Sequence, residues 1–214
     1  MWPVVKISEN NFVYPISMAR RYELKRRAEK QEETRQRIVE ATVGLHESVG
    51  PARTTVSAVA QRAGVQRLTV YRHFPDERAL LAACSGHWVA MNPAPDPAPW
   101  RGIRDPEERL AEALGEIYAF YGRTEPMMAN LVRDAPKMPV LAELLAPYQH
   151  YLVAVRDILA AGWGARGRRR ELLLAALGHA LDFATWRSLV PGQGLDDGRA
   201  GELMVRMVRS AARE

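Results

Sequence analysis

The chain has 214 residues, 47% of them hydrophobic and 26% charged, with a formal net charge of +5. This composition supplies a sizeable core for one medium domain or two small ones, and it excludes a globally disordered chain. Cys84 is the only cysteine, which excludes an intramolecular disulfide, and no apolar run reaches ~18 residues, so we expect a cytoplasmic protein with no membrane partner.

The positive charge is concentrated in one part of the sequence. Residues 18–90 contain 13 Lys and Arg against 8 Asp and Glu, whereas residues 91–214 contain 16 of each. Residues 1–17 contain one of each. A surface made basic only for solubility would spread the excess, so this placement predicts that residues 18–90 bind a polyanion.

The N-terminal part divides into two segments. Residues 1–17 have an irregular pattern and lack the charged-then-apolar layout of a signal peptide. Two interpretations stay open for them: a disordered tail, or a segment upstream of a natural start at Met18, where a basic, helix-prone sequence begins. Residues 20–30 form a basic arm, with Arg20, Arg21, Lys25, Arg26, Arg27 and Lys30.

Two helices are predicted after the arm. Apolar residues recur at helical spacing over residues 31–49, and a Gly-Pro pair ends this first helix. Thr54 or Thr55 can cap the second helix, and Gly64 then suits a tight turn with positive φ. The inward face of the second helix would consist of Val56, Val59, Ala60 and Ala63.

A third short helix follows the turn, with an apolar side and a polar side. The apolar side would be anchored in the core by Val65, Val70 and Phe74. The other side carries Gln66, Arg67, Thr69, Tyr71, Arg72 and His73. A helix–turn–helix presents its second helix to the DNA major groove in this way, so this stretch predicts a DNA-binding unit.

The remainder of the chain is predicted to be helical as well. Asp76 caps a fourth helix that extends to about Met91, and alternate prolines then favour an extended connection. No segment shows strand-like alternation, so the predicted fold class is all-α. Between breaks at prolines and glycines, further helices are predicted over residues 105–123, 126–134, 137–161, 168–190 and 196–212.

The helix predicted over residues 168–190 is apolar around most of its circumference. A helix buried on one side needs only a ~100° stripe, so this one has enough apolar residues for its own core and for a second surface. With the last helix it could form a four-helix dimer interface, and the alternative is a central core helix. The dimer contacts would come from Leu173, Leu177, Phe183, Met204, Met207 and Val208.

The sequence resembles the tetracycline-repressor (TetR) family of bacterial transcription regulators over residues 31–90, on the runs ETRQRIVEAT, TTVSAVAQRAGV, TVYRHF and FPDERALLAAC. Beyond them, RTEPMMANL, FATWRSLV and QGLDD are more loosely similar to C-terminal domains of some members. The resemblance implies an all-α fold. Its parts would be a tail and basic arm over residues 1–30, a three-helix helix–turn–helix DNA-binding domain over 31–76, and a helical ligand-binding and dimerisation domain over 77–214.

The resemblance also implies contacts with DNA. It gives phosphate contacts to Thr55, Tyr71 and His73, whose hydroxyl and N–H groups can donate to phosphate oxygens. Gln66 would stand at the start of the recognition helix. The side chains close to base edges would be Arg67, Leu68, Thr69 and Arg72.

One residue departs from the family pattern. Glu77 stands where members often have a Lys that contacts phosphate. A carboxylate there repels DNA, but in the first turn of a helix it complements the macrodipole by ~0.3–1 kcal/mol. We therefore expect Arg78 or the basic arm to supply part of the charge neutralisation.

The predicted C-terminal domain contains aromatic residues that could line an apolar cavity with a few polar groups, the usual form of a small-molecule site. Its candidate ligand residues are Tyr118, Tyr121, Met128, Tyr151, His179 and Trp186. His179 and Asp182 could share a ligand or metal, although a polar spot in a pocket wall or dimer seam is the simpler interpretation. No cofactor or resident metal is expected. Gly162, Gly164 and Gly167 match a dinucleotide motif, but they lack its βαβ setting and are interpreted as an interhelical loop.

Three hypotheses about function follow. The leading one is a homodimeric regulator, a repressor on the family resemblance, that binds a palindromic DNA operator and is released by a small-molecule effector. The second is a helical interaction or sensor protein without specific DNA readout, against which the charge distribution argues. The third is an all-α enzyme, for which the sequence shows no nucleophile elbow, phosphate loop or set of metal ligands.

Overall fold

The computed structural model describes residues 14–213, with side chains from Arg20 onward, and every regular element in this part of the chain is helical. The all-α prediction is therefore confirmed. None of these helices has the length and apolar character that crossing a membrane requires. The helices are α1 (Tyr14–Ser48), α2 (Val56–Ala63), α3 (Arg67–His73), α4 (Glu77–Met91), α5 (Pro106–Asp134), α6 (Pro139–Leu159), α7 (Arg168–Leu181), α8 (Phe183–Leu189) and α9 (Asp197–Arg213).

Helix α1 begins earlier than the sequence pattern predicted. Residues 14–30, expected as an irregular tail and arm, continue the first helix without a break, because no Gly or Pro occurs between residues 16 and 43. All side chains over residues 20–33 are exposed, so this part of α1 projects from the molecule as a basic rod. A Lys25–Glu29 ion pair at 3.8 Å supports it locally. The expectations for residues 1–13 lie outside the described part of the chain.

The first four helices pack around a small core of their own, which we call the DNA-binding unit. Leu81 and Cys84 of α4 are buried with it, so the unit does not end at residue 76 as expected but includes the first half of α4. Burial raises the pKa of the Cys84 thiol to about 12, so this side chain is neutral and unreactive. The core residues from α1 to α3 are Ile38, Val39, Ala41, Val59, Ala60, Ala63, Val70 and Phe74.

The remaining helices, which we call the helical body, surround α5. Helix α5 contacts α6, α7, α8 and α9, and its buried face supplies much of the second core. The predicted break at Pro126 is wrong, since α5 is continuous from Pro106 to Asp134. Pro126 cannot donate to the Gly122 carbonyl, but both residues are exposed, so water can satisfy that carbonyl.

The apolar segment predicted as one helix over residues 168–190 consists of two helices. Helix α7 ends at Leu181, and the Asp182 carboxylate then accepts a hydrogen bond from the Ala184 N–H (2.7 Å) as the N-cap of α8. Each helix packs against both α5 and α9. The two helices bury different faces. When residues 168–190 are treated as one helix, these two faces together cover most of its circumference with apolar residues.

Most of the predicted dimer contacts are buried within the subunit itself. Of the six proposed residues, only Met207 is exposed, because the others face the core of their own subunit and have no surface to offer a partner. The five buried residues are Leu173, Leu177, Phe183, Met204 and Val208. Large apolar side chains that are exposed on α7 and α9 are Leu172, Leu203 and Met207.

Candidate DNA-binding surface and ligand cavity

The turn between α2 and α3 sets the direction of the third helix. Thr55 is the N-cap of α2, and its Oγ1 accepts a hydrogen bond from the Ala58 N–H (3.2 Å). Gly64 has a left-handed backbone with φ of 66°, a conformation in which a Cβ would be strained. Helix α3 begins after Gln66, whose side chain makes no capping hydrogen bond. The predicted helix–turn–helix is therefore present.

Helix α3 separates an anchored side from an exposed side. Val70 (1% exposed) and Phe74 (4%) hold it in the core, and the Arg35 guanidinium lies over the Phe74 ring at 5.1 Å. On the other side Leu68 is 75% exposed and Tyr71 45%. The exposed residues on this side are Gln66, Arg67, Leu68, Tyr71 and Arg72, and Thr69 and His73 are half-buried.

Thr55 lies on the same surface. Thr55 and Tyr71 both line a pocket of about 250 Å³ that residues of α1 to α4 surround. The Thr55 oxygen accepts the capping hydrogen bond, so its hydroxyl proton remains available to a second acceptor. Six of the eight residues predicted to contact DNA are thus located on α3, and the other two, Thr55 and Gln66, are the N-caps of α2 and α3.

The position of the missing Lys is the first residue of α4. Glu77 is exposed there, directly after the N-cap Asp76, whose carboxylate accepts from the Ala79 N–H (2.7 Å). Arg78, one of the two predicted substitutes, forms an ion pair with Glu143 of α6. The exposed basic rod of α1 is therefore the stronger of the two candidates for charge compensation.

A cavity of about 500 Å³ lies between the DNA-binding unit and the helical body. Helices α1 and α4 form one side of it, and α5 and α6 form the other. Both the volume and the mainly apolar wall are typical of small-molecule sites. Among the residues that form its wall are Val43, Leu81, Trp88, Phe120, Met127, Met128, Leu141, Leu144, Tyr148 and Tyr151.

Two of the polar groups in the cavity wall already have partners within the protein. The Tyr151 hydroxyl donates to the Pro95 carbonyl (2.8 Å), and the Tyr148 hydroxyl donates to the Tyr121 hydroxyl (3.2 Å). Burial raises the pKa of both phenols, to about 12 for Tyr148, so both are neutral at physiological pH. These hydroxyls stabilise the wall and are not available as charged groups.

His46 of α1 is the polar residue of the wall with the most unusual environment. Its side chain is buried, and burial lowers its pKa to about 4, an effect that the Asp134 carboxylate partly opposes. The imidazole is therefore neutral near pH 7 and presents one donor and one acceptor nitrogen. His46 also belongs to the DNA-binding unit, so an occupant of the cavity would touch that unit directly.

The six predicted ligand residues do not converge on this cavity. Met128 and Tyr151 line it, whereas Tyr121 does not: its ring packs against Phe120 of the wall, and its hydroxyl accepts a hydrogen bond from Tyr148. A cavity between two helical layers needs residues from both, and the prediction concentrated on the aromatic residues of the body.

The other three candidates lie elsewhere. The Tyr118 hydroxyl donates to the Ala180 carbonyl (2.9 Å), and Trp186 Nε1 donates to Asp197 (2.8 Å), so both side chains support the packing of the body. His179 is exposed on α7, and its Nδ1 lies 3.1 Å from the hydroxyl of Thr185.

The sequence did contain a signal for the residues that were missed. Leu81, Ser85 and Trp88 of α4 recur at steps of four and three, as do Leu141, Leu144 and Tyr148 of α6. These are helical stripes that face a neighbouring element. What the spacing could not reveal is that the two stripes face each other across unfilled space.

The end of α5 is tied to the DNA-binding unit by polar contacts. The Asn130 amide donates to the carbonyls of His46 (2.9 Å) and Glu47 (2.8 Å), which lie in the last turn of α1 and have no partner within the helix. We define the α5 clamp as Asn130, Arg133 and Asp134.

The rest of the α5 clamp holds the turn after α1. Arg133 donates to the Val49 carbonyl (2.9 Å), and the Asp134 carboxylate accepts from the Ala52 N–H (3.0 Å). The hydrogen bond from Arg133 holds the pKa of Asp134 below its usual value. Gly50 lies beneath with φ of 94°, and a Cβ there would collide with the side chains of Arg133 and Asp134. Close approach and backbone conformation thus both require Gly at this turn.

Metal and dinucleotide sites find no support in residues 14–213. No group of three or more His, Cys, Asp or Glu side chains in that range is arranged to hold a metal ion. Gly162, Gly164 and Gly167 lie in the loop between α6 and α7, as the sequence predicted.

Comparison with known proteins agrees with this geometry. Residues 38–84 match the family described as bacterial regulatory proteins, tetR family. Over these residues the chain has the sequence of a TetR-family DNA-binding domain. The matched residues run from the buried part of α1 to the middle of α4 and include the whole helix–turn–helix. A comparison with curated proteins gives no match.

Solved structures extend the TetR likeness beyond the matched residues. A TetR-like transcriptional regulator from Rhodococcus sp. RHA1 is 20% identical with a TM-score of 0.59, covering 82% of this chain and 93% of that one. Another transcriptional regulator from that organism is 26% identical with a TM-score of 0.54, covering 82% and 96%. A protein from Clostridium perfringens, described as a proposed fatty acid metabolism regulator, is 16% identical with a TM-score of 0.60, covering 82% and 97%. The match over residues 38–84 and these solved structures support a TetR-like, DNA-binding transcription regulator, and the helical body shares the fold of these proteins.

Proposed function

We propose that this TetR-family regulator is a dimeric repressor that binds a pseudo-palindromic operator and is released when a small molecule fills the cavity. The arrangement of α3 carries the proposal: its apolar side chains are buried, while polar and basic side chains project from the surface. A helix of this kind suits the major groove. Repression, as opposed to activation, rests on the family resemblance.

The outer residues of α3 divide by chemistry. Arg67 can form a fork with guanine O6 and N7, and Leu68 or Thr69 can meet a thymine methyl group. Tyr71 and Thr55 can donate hydroxyl protons to phosphate oxygens, which positions the helix without reading sequence. The basic rod of α1 adds attraction for the duplex, with Arg20, Arg21, Lys25, Arg26, Arg27 and Lys30 exposed.

A second copy of the chain would cover the outer faces of α7 and α9. Leu172 of α7 and Leu203 and Met207 of α9 are exposed large apolar side chains, and α7 packs along α9. Two such helix pairs facing each other across a two-fold axis form a four-helix interface. A dimer would place two α3 helices on half-sites about 34–36 Å apart.

The position of the cavity supports release by a ligand. Its wall includes Val43 and His46 of α1 as well as residues of α4, α5 and α6, so an occupant would touch both the DNA-binding unit and the helical body. Suppose that the ligand binds more tightly to a dimer conformation in which the distance between the two α3 helices does not fit the operator half-sites. By linkage, such a ligand lowers the affinity of the dimer for the operator. A coupling of about 1–3 kcal/mol would lower that affinity roughly 5–150-fold.

The decisive experiment begins with DNA fragments that the purified protein retains from a random library, and measures binding of the recovered operator by fluorescence anisotropy. Arg67→Ala is expected to lose about 1–3 kcal/mol of discrimination at one base pair of each half-site. Tyr71→Phe should weaken binding to operator and random DNA alike, since it removes only a phosphate donor. Arg101→Ala, an exposed arginine of the body, is the control. If both α3 variants bound like the wild type, α3 would not be the reading helix.

The dimer is tested by sedimentation. Leu172→Glu combined with Met207→Glu should convert the protein to a monomer and weaken operator binding, because two carboxylates would be buried at the interface. Leu68→Glu changes an exposed apolar residue of α3 in the same way and should remain dimeric. A double variant that still sediments as a dimer would place the interface elsewhere.

A further inference from the structure

The cavity wall indicates which chemical class of effector it accepts, provided that the proposed function holds. Of the 21 described residues that line the cavity, none is Lys, Arg, Asp or Glu. Transfer of an ionised group into apolar surroundings without a partner costs several kcal/mol. We propose that the effector is an uncharged, largely apolar molecule whose polar group is hydrogen-bonded by His46.

Three residues of the wall have polar side-chain groups without a hydrogen bond to another described residue, namely His46, Ser85 and Trp88, and of these three His46 is the buried one. The Tyr148 and Tyr151 hydroxyls are used within the protein, and the Asn92 amide donates to the Trp88 carbonyl (3.0 Å). The His46 imidazole, in contrast, makes no hydrogen bond with another described residue through its ring. One neutral ring that can donate and accept suits a hydroxyl, a carbonyl or an amide of the ligand.

A charged alternative exists in the neighbouring groove. This groove, of about 360 Å³, shares Met128, Leu131, Leu145 and Tyr148 with the cavity wall and contains Arg156. Arg156 belongs to this groove and not to the cavity wall, and it is already paired with Asp157 at 3.0 Å. The contacts therefore favour the uncharged ligand, and the experiment must distinguish the two.

The test compares three probes that share one alkyl chain: 1-octanol, octanoate and octylammonium. Binding to the full-length protein without DNA is measured by calorimetry at about pH 7.5, where His46 is neutral. We expect 1-octanol to bind at least roughly tenfold more tightly than either ion. Equal or tighter binding of octanoate or octylammonium would overturn the proposal, and so would a cavity that takes up none of the three.

Three variants assign the result to the cavity. Leu144→Arg places a cation in the wall and should reverse the preference toward octanoate, whereas the matched Leu144→Met should keep it. His46→Phe should weaken 1-octanol binding about fivefold through loss of the hydrogen bond, and unchanged affinity would contradict the role of His46. If octanoate binds best and Arg156→Gln abolishes that binding, the effector is an anion that uses the groove, and the proposal fails.

These outcomes are separate from those of the proposed function. The probe preference is measured without DNA, so a wrong ligand class leaves operator binding by α3 intact. Conversely, a protein that prefers 1-octanol but never releases its operator would contradict regulation by the ligand, while the chemical class of the cavity would stand.

Discussion

The DNA-binding unit and the cavity differ in how the apolar sides of their helices are packed. On α3, a tightly packed apolar side supports polar side chains that are directed to solvent. In the cavity, apolar side chains of α4, α5 and α6 surround space that the protein itself does not fill. The first surface is complete when the protein folds, whereas the second reaches full packing only with an occupant. Helix α4 belongs to both, since Cys84 packs in the DNA-binding unit and Trp88 lines the cavity.

The largest difference between the two regions should appear in stability. Phe74→Ala removes a side chain from a filled core and is expected to lower the free energy of unfolding by about 3–5 kcal/mol. Leu144→Ala, at the cavity wall, should cost less than ~2 kcal/mol, because its neighbours already adjoin open space. Urea denaturation measures both, with the exposed Leu68→Ala as control. Equal losses at Phe74 and Leu144 would mean that the cavity is not open.

The pH dependence of stability should identify His46. Its folded pKa, about 4, lies below its unfolded value of 6.5, so the unfolded chain binds more protons between these two values. Stability contributed by neutral His46 is present above about pH 6.5 and is lost as the pH falls toward 4, by up to ~1.4 kcal/mol per pH unit. His46→Gln should flatten this slope in urea titrations, whereas His150→Gln, at an exposed position, should not.

Titration of Asp134 does not contribute to the change in stability between pH 4 and 6.5. Its folded pKa lies below the usual 3.8, so its contribution is present above that value and is lost only at lower pH. A slope that His46→Gln leaves unchanged between pH 6.5 and 4.5 would contradict the buried, neutral state of this residue.

The α5 clamp connects the two regions, and its removal should have a smaller effect. Asn130→Ala leaves two carbonyls at the end of α1 without their donor, at a cost of about 1–2 kcal/mol of unfolding free energy. Gln149→Ala removes an exposed amide of α6 and is the matched control. If the two variants have the same stability, the clamp contributes nothing that water cannot replace.

The basic rod of α1 should give the smallest effect, visible mainly in the salt dependence of DNA binding. Replacing Arg26 and Arg27 by Gln is expected to reduce the slope of log K against log salt by ~0.9 for each DNA phosphate that the protein no longer neutralises. Base preference should not change. Arg168 and Arg169, exposed at the start of α7, provide a control of equal charge. A slope that is equal in both variants would exclude the rod from the DNA contact.

Local chemistry in the sequence was sufficient for the helix–turn–helix. The Thr55 and Asp76 caps, the left-handed Gly64 and the exposed side of α3 each depend on residues a few positions apart, so their patterns are legible in the chain itself. The same holds for the all-α class. Local patterns were less reliable where two of them compete. At Pro126 the chain stays helical despite the proline, and at Asp182 a cap ends a helix that the apolar run alone predicts to continue.

Other features depend on contacts between residues that are distant in sequence. Helical spacing shows that a face is apolar, but it does not show whether that face meets its own core, a second subunit or empty space. The sequence therefore left open whether Leu173 and Leu177 are core residues or dimer contacts. The cavity exists because α4 and α6 pack together incompletely, and Asn130 meets His46 only because α5 crosses the end of α1. Amino-acid order specifies the helices and their faces; which faces meet is decided when the whole chain packs.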